Sequence, residues 1–303
     1  MSASSTARRY AVLDVFTDKA LTGNQLAVVF DSEGLDGERM QAIAAEFNLS
    51  ETVFVMEPER PAHSAKVRIF TPGRELPFAG HPTVGTSIIL ALEKYGGTGM
   101  KDGIIVLEEQ IGSVRCGVKL RENAGFAEFD IPKLPSEPQQ AGDRDLIAAG
   151  IGLEPSEIGF ENHKPMVCDA GVTFTFVPVR DMARLNRAKA SGRAFEEAFG
   201  SNGAFIYTRD TASEANDFQA RMFAPQHGIL EDPATGSAAA ALAGIIHKFD
   251  QPRKGMTRYR IEQGYAMGRP SIIELELEVG NNALSAVRIG GNAVVIARGE
   301  LIA

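Results

Sequence analysis

The sequence repeats itself at an interval of about half its length, and this constrains the fold more than any other feature. The stretch Arg68–Pro72 (RIFTP) is matched by Arg221–Pro225 (RMFAP), 153 residues further on. The stretch His81–Thr86 (HPTVGT) is matched by Asp232–Ser237 (DPATGS), 151 residues further on. Because the two matches occur in the same order and at nearly the same interval, they predict an internal duplication in this chain of 303 residues.

The residues before each motif predict the same pair of strands in both halves. In the first half, strands are predicted at Glu51–Glu57 and Ala65–Phe70, which are rich in β-branched and aromatic residues and lead into the RIFTP motif. In the second half, strands are predicted at Ala204–Asp210 and Phe218–Phe223, which lead into the RMFAP motif. Since strands and motifs recur in one order, the two halves are expected to share one α+β fold.

The motifs that begin at His81 and Asp232 are each expected to open a buried helix. Pro82 and Pro233 suit a first helical turn, where a missing N–H costs nothing. Asp232 and Thr83 can cap the free backbone N–H groups of that turn. The helix bodies that follow are small and apolar on nearly all sides. Each half is therefore expected to wrap a curved, mostly antiparallel sheet around a central buried helix.

The pattern of linkers divides the chain near residue 132. The Pro-rich segment Pro132–Asp143 predicts a linker, giving an N-terminal half at residues 1–131 and a C-terminal half at residues 132–284. Strands at about 285–303 are expected to return to the first half, with a hairpin turn at Gly290-Gly291. The other predicted elements are helices at Asp36–Phe47 and Met182–Phe199 and strands at Ile104–Glu109, Ser113–Leu120, Leu284–Ile289 and Ala293–Arg298.

Composition excludes several classes of function. The formal net charge of −8 argues against binding to nucleic acid or to an anionic membrane. The longest apolar stretches fall short of the ~20 residues of a membrane span, and Met1–Arg9 lacks the apolar core of a secretory signal, so the cytoplasm is the expected location. Cys116 and Cys168 predict neither a disulfide framework nor a metal site. Motifs of kinases, dinucleotide-binding dehydrogenases, zinc proteases and serine hydrolases are absent from the sequence.

The two repeated motifs are also the best candidates for chemistry. Helix N-termini offer free N–H groups and a partial positive charge, which suit a carboxylate or phosphate. Glycines at the helix starts allow a ligand to approach the backbone, and they are Gly80, Gly85 and Gly236. Glu51, His81 and Asp232 together supply two carboxylates and an imidazole, which suffice for general acid–base catalysis. Each of these three residues alone is more often structural.

Several motifs resemble those of the phenazine-biosynthesis PhzF-like family. The similarity covers the chain from about Tyr10 to Leu301. Its motifs are GNQLAVV at Gly23–Val29, LSETVFV at Leu49–Val55, RIFTP at Arg68–Pro72, ELPFAGHPT at Glu75–Thr83, EDPATGS at Glu231–Ser237, Gln263-Gly264, and MGRPS at Met267–Ser271.

The resemblance implies a diaminopimelate-epimerase-like fold, in which two halves related by a pseudo-twofold axis enclose the active site in a cleft. It implies a cofactor-free isomerase, commonly a homodimer, that acts on a small carboxylate-bearing metabolite. The family's acid–base glutamate corresponds to Glu51. Its active-site histidine, aspartate and serine correspond to His81, Asp232 and Ser237. Ser237 is then expected to bind substrate or to orient Asp232.

Two departures refine this interpretation. Gln25 stands where the family usually has proline, which affects only local loop geometry. The wider superfamily includes epimerases that use one cysteine per half at these helix starts, and here neither start contains cysteine. The proton chemistry is therefore assigned to Glu51, His81 and Asp232. Two alternatives stay open: a racemase or epimerase with two non-cysteine bases, and a carboxylate-binding protein without catalysis.

Overall fold

The computed structural model describes residues 7–96 and 101–302, and its chain divides into two compact units. The first unit contains residues 1–132 and 290–303, and the second contains residues 133–289. The sequence placed these boundaries at 131/132 and at about residue 285. The segment Pro132–Asp143 thus begins at the boundary between the units and continues into the second.

The described residues of the first unit form eight strands, the end of a ninth, and two helices. Its strands are β1 (Ala7–Val15), β2 (Asn24–Val29), β3 (Glu51–Met56), β4 (Ala65–Phe70), β5 (Glu75–Leu76), β6 (Asp102–Glu109), β7 (Gly112–Arg121) and β8 (Ala124–Asp130). Its helices are α1 (Gly37–Phe47) and α2 (Gly80–Tyr95).

The second unit contains the remaining elements. Its strands are β9 (Gln139–Gln140), β10 (Met166–Asp169), β11 (Thr173–Pro178), β12 (Gly203–Thr208), β13 (Phe218–Ala224), β14 (Ile229–Asp232), β15 (Gly255–Gln263), β16 (Ser271–Gly280) and the start of β17 (Ala283–Ile302). Its helices are α3 (Arg144–Gly150), α4 (Met182–Arg187), α5 (Gly192–Phe199) and α6 (Gly236–Asp250), with short 3₁₀ turns at Pro155–Glu157, Pro225–His227 and Tyr265–Met267.

Strand pairing follows the same order within each unit. In the first unit β2 pairs parallel to β3, β3 pairs antiparallel to β4, and β4 pairs antiparallel to the short β5. After α2 the chain returns as β6, which lies parallel to β4 and antiparallel to β7. The second unit repeats this order with β11, β12, β13, β14, α6, β15 and β16. The pairing order is what an internal duplication predicts.

The helix after each repeated motif is the buried helix of its unit. Val84, Ile88 and Ile89 of α2 are fully buried, and α2 packs against β1, β2, β3, β6, β7 and β8. The residues from Ala238 to Ile246 of α6 are buried as well, and α6 packs against β10, β11 and β16. Their nearly all-round apolar sequence therefore matches their burial.

The amphipathic helix expected at Asp36–Phe47 is confirmed as α1. Asp36 is its N-cap, and the Asp36 carboxylate accepts a hydrogen bond from the backbone N–H of Arg39 at 2.8 Å. Met40 and Ile43 on its apolar face pack into a cluster with Phe54 of β3 and Phe70 of β4. This packing holds α1 against the strand that carries Glu51 at its start.

The single helix expected over Met182–Phe199 is wrong, because the chain forms α4 and α5 with a break between them. Ala188 leaves helical geometry at ψ 140°, and Gly192 has a positive φ of 52°. The guanidinium of Arg221 donates hydrogen bonds to the carbonyls of Leu185, Asn186 and Ala188 at 2.7–3.1 Å. A cation at these carbonyls offsets the loss of the intrahelical bonds that end α4.

The hairpin turn expected at Gly290-Gly291 is also wrong, because β17 runs without interruption from Ala283 to Ile302. Both glycines are buried and have no positive φ. A Cβ atom on Gly291 would collide with the ring of Phe16, and one on Gly290 would lie 2.8 Å from Phe126 Cζ. The glycine pair therefore makes room for two aromatic rings instead of forming a turn.

Gly291→Ala is accordingly expected to lower the free energy of unfolding by about 1–3 kcal/mol, because the added methyl overpacks the Phe16 site. Gly117→Ala is the matched control, since Gly117 lies on the exposed side of β7 and a Cβ there meets no atom within 4 Å. Urea unfolding of both variants measures the difference. Equal stability of the two variants would contradict this role for Gly291.

Candidate active site

Glu51 and His81 lie next to each other in the first unit. Glu51 is the first residue of β3, where it pairs with Leu26 of β2, and His81 is the second residue of α2. Nε2 of His81 lies 3.0 Å from Oε2 of Glu51, and the two side chains are only 5% and 11% exposed. The strand start and the helix start thus bring together two of the three residues expected to do acid–base work.

The imidazole of His81 is neutral. Burial lowers its pKa to about 3, against the opposing effect of a hydrogen bond with the backbone of Gln25. Nδ1 of His81 also lies 3.4 Å from the amide nitrogen of Asn24. The contact with Glu51 is therefore one between a carboxyl group and a neutral imidazole rather than an ion pair. A neutral imidazole can either donate or accept a proton at the nitrogen that faces Glu51.

The N-terminus of α2 has a different cap from the one the sequence predicts. Its N-cap is Ala79, which has no capping side chain, and Thr83 does not accept a hydrogen bond from a free N–H. Instead Oγ1 of Thr83 lies 2.7 Å from the carbonyl oxygen of Ala79 and 2.8 Å from Oε1 of Glu109. Burial raises the pKa of Glu109 to about 8, so this carboxyl group is neutral at pH 7.

A neutral Glu109 is consistent with both short contacts of Thr83. One hydroxyl proton cannot serve two acceptors, but a protonated Glu109 can donate to Oγ1 while Thr83 donates to Ala79. This chain ties the first turn of α2 to the end of β6, two residues from His81. Sequence reasoning missed Glu109, whose inward direction follows from its place beside the buried Leu107 and Ile105 on β6.

Two of the predicted glycines occupy the same helix start. Gly80 begins α2 and is buried. Gly85 lies one turn further on, where a Cβ atom would be 2.6 Å from Cδ2 of Leu26 and 2.8 Å from Cγ2 of Val15. Packing of α2 against β1 and β2 therefore already requires glycine at position 85.

Asp232 lies in the second unit and is the last residue of β14, not part of a helix. The helix α6 begins only at Gly236, with Thr235 as N-cap, so Pro233 in a first helical turn and Asp232 as a cap are both wrong. Asp232 is 7% exposed, and its Oδ2 accepts a hydrogen bond from Oγ1 of Thr235 at 2.5 Å. Ser237 is half-buried in the first turn of α6, after the buried Gly236.

A residue that sequence reasoning did not assign, Gln263, holds the loop from Asp232 to Thr235. Gln263 is fully buried at the end of β15. Its Oε1 accepts the backbone N–H of Thr235 at 3.0 Å, and its Nε2 donates to the carbonyl oxygen of Asp232 at 2.8 Å. The Gln263-Gly264 pair in the sequence was the available signal, but nothing local indicates which loop it contacts.

Each unit also carries a bidentate arginine–glutamate pair beside its site. Arg68 on β4 binds both oxygens of Glu75 on β5 at 2.7 Å, and Arg221 on β13 binds both oxygens of Glu231 on β14 at 2.8 Å. The hydrogen bonds from Arg68 hold the pKa of Glu75 below its usual range. These pairs fix the short strands that lead toward His81 and Asp232, and their arginines are the first residues of the repeated RIFTP and RMFAP motifs.

Comparison with known proteins agrees with the motifs. The sequence model of the family described as phenazine biosynthesis-like protein matches residues 13–299. The chain belongs to this family. It is 50% identical over 302 residues to an uncharacterized isomerase of Mesorhizobium japonicum, covering 97% of this chain and 98% of that one. It is 35% identical to the trans-2,3-dihydro-3-hydroxyanthranilate isomerase of Pseudomonas aeruginosa, covering 96% and 98%.

Solved structures of the family have the same fold. The phenazine biosynthesis protein of the PhzF family from Bacillus anthracis matches with a TM-score of 0.87 and 25% identity, covering 98% of this chain and 100% of that one. A hydroxyproline epimerase from Agrobacterium vitis, 11% identical, matches with a TM-score of 0.62 over 97% and 92% of the two chains, which relates the folds alone. The expected epimerase-like fold class and the family are thereby confirmed.

The family relationship also confirms that the chain is an isomerase. Within the described residues, no group of three or more His, Cys, Asp or Glu side chains is arranged to hold a metal ion. Over residues 7–96 and 101–302, no helix is both long enough and apolar enough to cross a membrane.

Proposed function

We propose that this chain is a cofactor-independent isomerase that moves a proton on a small carboxylate-bearing metabolite by acid–base catalysis. The observation that carries the proposal is the buried contact of Glu51 with the neutral His81 at 3.0 Å. Glu51 removes a proton from carbon and returns it elsewhere on the conjugated system. His81 and Asp232 bind or polarise the substrate and share in proton transfer.

The carboxylate of the substrate is proposed to bind at the starts of α2 and α6. Free N–H groups of the first turns, near Gly80 and Gly236, supply hydrogen bonds, and Ser237 supplies a hydroxyl. Gly85, proposed from the sequence as a third such position, lies one turn into α2 and serves the packing of that helix instead. This arrangement requires the two units to be related by a pseudo-twofold axis, with the site in the cleft between them. The repeated order of strand pairing supports that relationship. A homodimer in the cytoplasm completes the proposal.

A racemase that uses two thiols is a poor alternative. Burial raises the pKa of Cys116 to about 12 and that of Cys168 to about 11, so neither thiol ionises readily at neutral pH. A racemase or epimerase that uses Glu51 and Asp232 as its two bases is separated from an allylic isomerase by the stereochemistry of the product. A carboxylate-binding protein without catalysis is separated from both by the absence of exchange at carbon.

The test is deuterium incorporation from solvent. The purified chain is incubated in D₂O with trans-2,3-dihydro-3-hydroxyanthranilate, the compound for which the 35% identical relative is named, and with a panel of cyclic and aromatic carboxylates. We expect deuterium to appear at carbon in at least one compound, with a shifted double bond, as measured by NMR and mass spectrometry. Binding of several carboxylates without exchange in any of them would favour the non-catalytic alternative.

A further inference from the structure

The direction of the hydrogen bonds around Asp232 is fixed by one backbone group. The N–H of Thr235 can only donate, so the atom of Gln263 that faces it at 3.0 Å must be the amide oxygen. The amide nitrogen of Gln263 therefore faces the carbonyl oxygen of Asp232 at 2.8 Å and Oγ1 of Thr235 at 3.0 Å. Both of these contacts are donations from Gln263.

The orientation of Gln263 restricts that of the Thr235 hydroxyl, because the proton of Thr235 cannot point toward the amide nitrogen. Oγ1 of Thr235 accepts a hydrogen from Gln263 and donates its own proton to its other neighbour, Oδ2 of Asp232, at 2.5 Å. That separation lies in the range of a hydrogen bond from a hydroxyl to an ionised carboxylate. A hydroxyl donor at Oδ2 stabilises the ionised form of the Asp232 carboxyl group.

The loop is built to keep this chain of donors in place. Gly264 follows Gln263 with a φ of 78°, and a Cβ atom there would lie 2.6 Å from the carbonyl oxygen of Pro233 and would collide with that of Arg269. The neighbouring carboxylate, Glu231, is turned away onto Arg221 and does not compete for the Thr235 hydroxyl. Gln263 is fully buried and Thr235 is 7% exposed, so water has little access to either bond.

We propose that Thr235 is a positioning residue, oriented by Gln263, that holds Asp232 through Oδ2 and keeps its carboxyl group in the ionised form in which it acts on the substrate. This inference rests on the proposed function for its last clause only. The Thr235 hydroxyl stabilises the ionised form of Asp232 and fixes the position of Oδ2. The hydrogen-bond chain itself exists whether or not the substrate is a carboxylate.

The test is a ligand-free titration of Asp232. Protein labelled with carbon-13 at aspartate carboxyls is titrated by NMR, and the Asp232 signal is assigned by its loss in Asp232→Asn. Thr235→Val removes the donor at nearly constant volume, which disfavours the ionised form. We expect the midpoint to rise by about one to two pH units in Thr235→Val. Thr235→Ser keeps the hydroxyl and is expected to titrate like the unmodified chain.

Gln263 is tested through a double-mutant cycle. Because Gln263 acts through the Thr235 hydroxyl, Gln263→Leu is expected to raise the titration midpoint of Asp232. The double variant Gln263→Leu/Thr235→Val is expected to have the same midpoint as Thr235→Val alone. Should Thr235→Val not fold, Thr235→Ala provides the same readout. An unchanged midpoint in a folded variant that lacks the hydroxyl overturns the proposal. Because the titration needs no substrate, that failure is distinct from an absence of deuterium exchange, which would overturn the proposed function instead.

Discussion

Glu51→Gln is expected to lower the rate of proton exchange at substrate carbon by about two to four orders of magnitude, the usual contribution of a general acid or base. The amide has nearly the same shape as the carboxyl group but cannot take up a proton from carbon. Glu51 sits at the start of β3 in a paired register with Leu26, so the backbone around it is held by the sheet rather than by its side chain. The fold is therefore expected to survive the change.

The measurement is the initial rate of deuterium incorporation into the compound identified by the exchange screen, with substrate affinity measured in parallel. Affinity is expected to change little, because the helix N-termini proposed to receive the carboxylate are intact. Glu57→Gln is the matched control, since Glu57 follows the same strand, is exposed, and lies six residues after Glu51. A folded Glu51→Gln that exchanges at the rate of Glu57→Gln would remove Glu51 from the mechanism.

The repeated motif shows how far the sequence predicts this site. His81 and Asp232 occupy the same position in the repeat, and the sequence places both before a buried helix. His81 lies inside α2, whereas Asp232 ends a strand four residues before α6. The difference comes from Gln263, which binds the Asp232–Thr235 loop from a strand that begins 19 residues after α6 starts. Local sequence rules contain no information about such a distant partner.

The glycine pair at 290 and 291 illustrates the same limit. Two adjacent glycines between apolar stretches favour a hairpin turn by local rules. In the folded chain their small size is needed because the rings of Phe16 and Phe126 occupy the adjoining space. By contrast, Asp36 and the apolar face of α1 are defined by neighbours within a few residues, and the sequence predicted that helix to within one residue. Local signals were sufficient where the decisive contacts were local.

The sequence groups Glu51 with His81 as acid–base candidates, but it does not predict their direct contact. Nothing in the spacing of 30 residues between them indicates a contact. The contact follows from the parallel pairing of β2 with β3 and from the packing of α2 on both strands. The neutral state of His81 is a further consequence of that packing, because burial is what depresses its pKa.

Glu109→Gln is expected to make the chain more stable at pH 8 than the unmodified protein while leaving its stability at pH 4.5 nearly unchanged. Burial raises the pKa of Glu109 from 4.5 to about 8, so the folded chain holds a proton that the unfolded chain releases. The contribution of the protonated Glu109 carboxyl group to the free energy of unfolding is thus fully present below about pH 4.5, and it is lost as the pH rises toward 8. Over that window the loss amounts to a few kcal/mol.

Glutamine at position 109 escapes this loss because it never ionises, and its amide can still donate a hydrogen bond to Oγ1 of Thr83. The chain from position 109 through Thr83 to the carbonyl of Ala79 is therefore kept, and the start of α2 stays in place. Thermal or urea unfolding at pH values between 4.5 and 9 measures the effect. The difference in stability between variant and unmodified chain is expected to grow with pH and to level off above about pH 8.

Glu108→Gln is the control, because adjacent residues of a strand face opposite sides and Glu108 experiences the opposite electrostatic environment. Hydrogen bonds from the backbone N–H groups of Glu59 and Arg60, with a contact to His63, lower the pKa of Glu108. The ionised Glu108 stabilises the fold at pH values above the pKa that Glu108 has in the unfolded chain, and this stabilisation is lost as the pH falls. The free energies of unfolding of the two variants should consequently diverge as the pH rises. A constant difference in stability between Glu109→Gln and the unmodified chain at all pH values would mean that Glu109 is ionised in the folded protein.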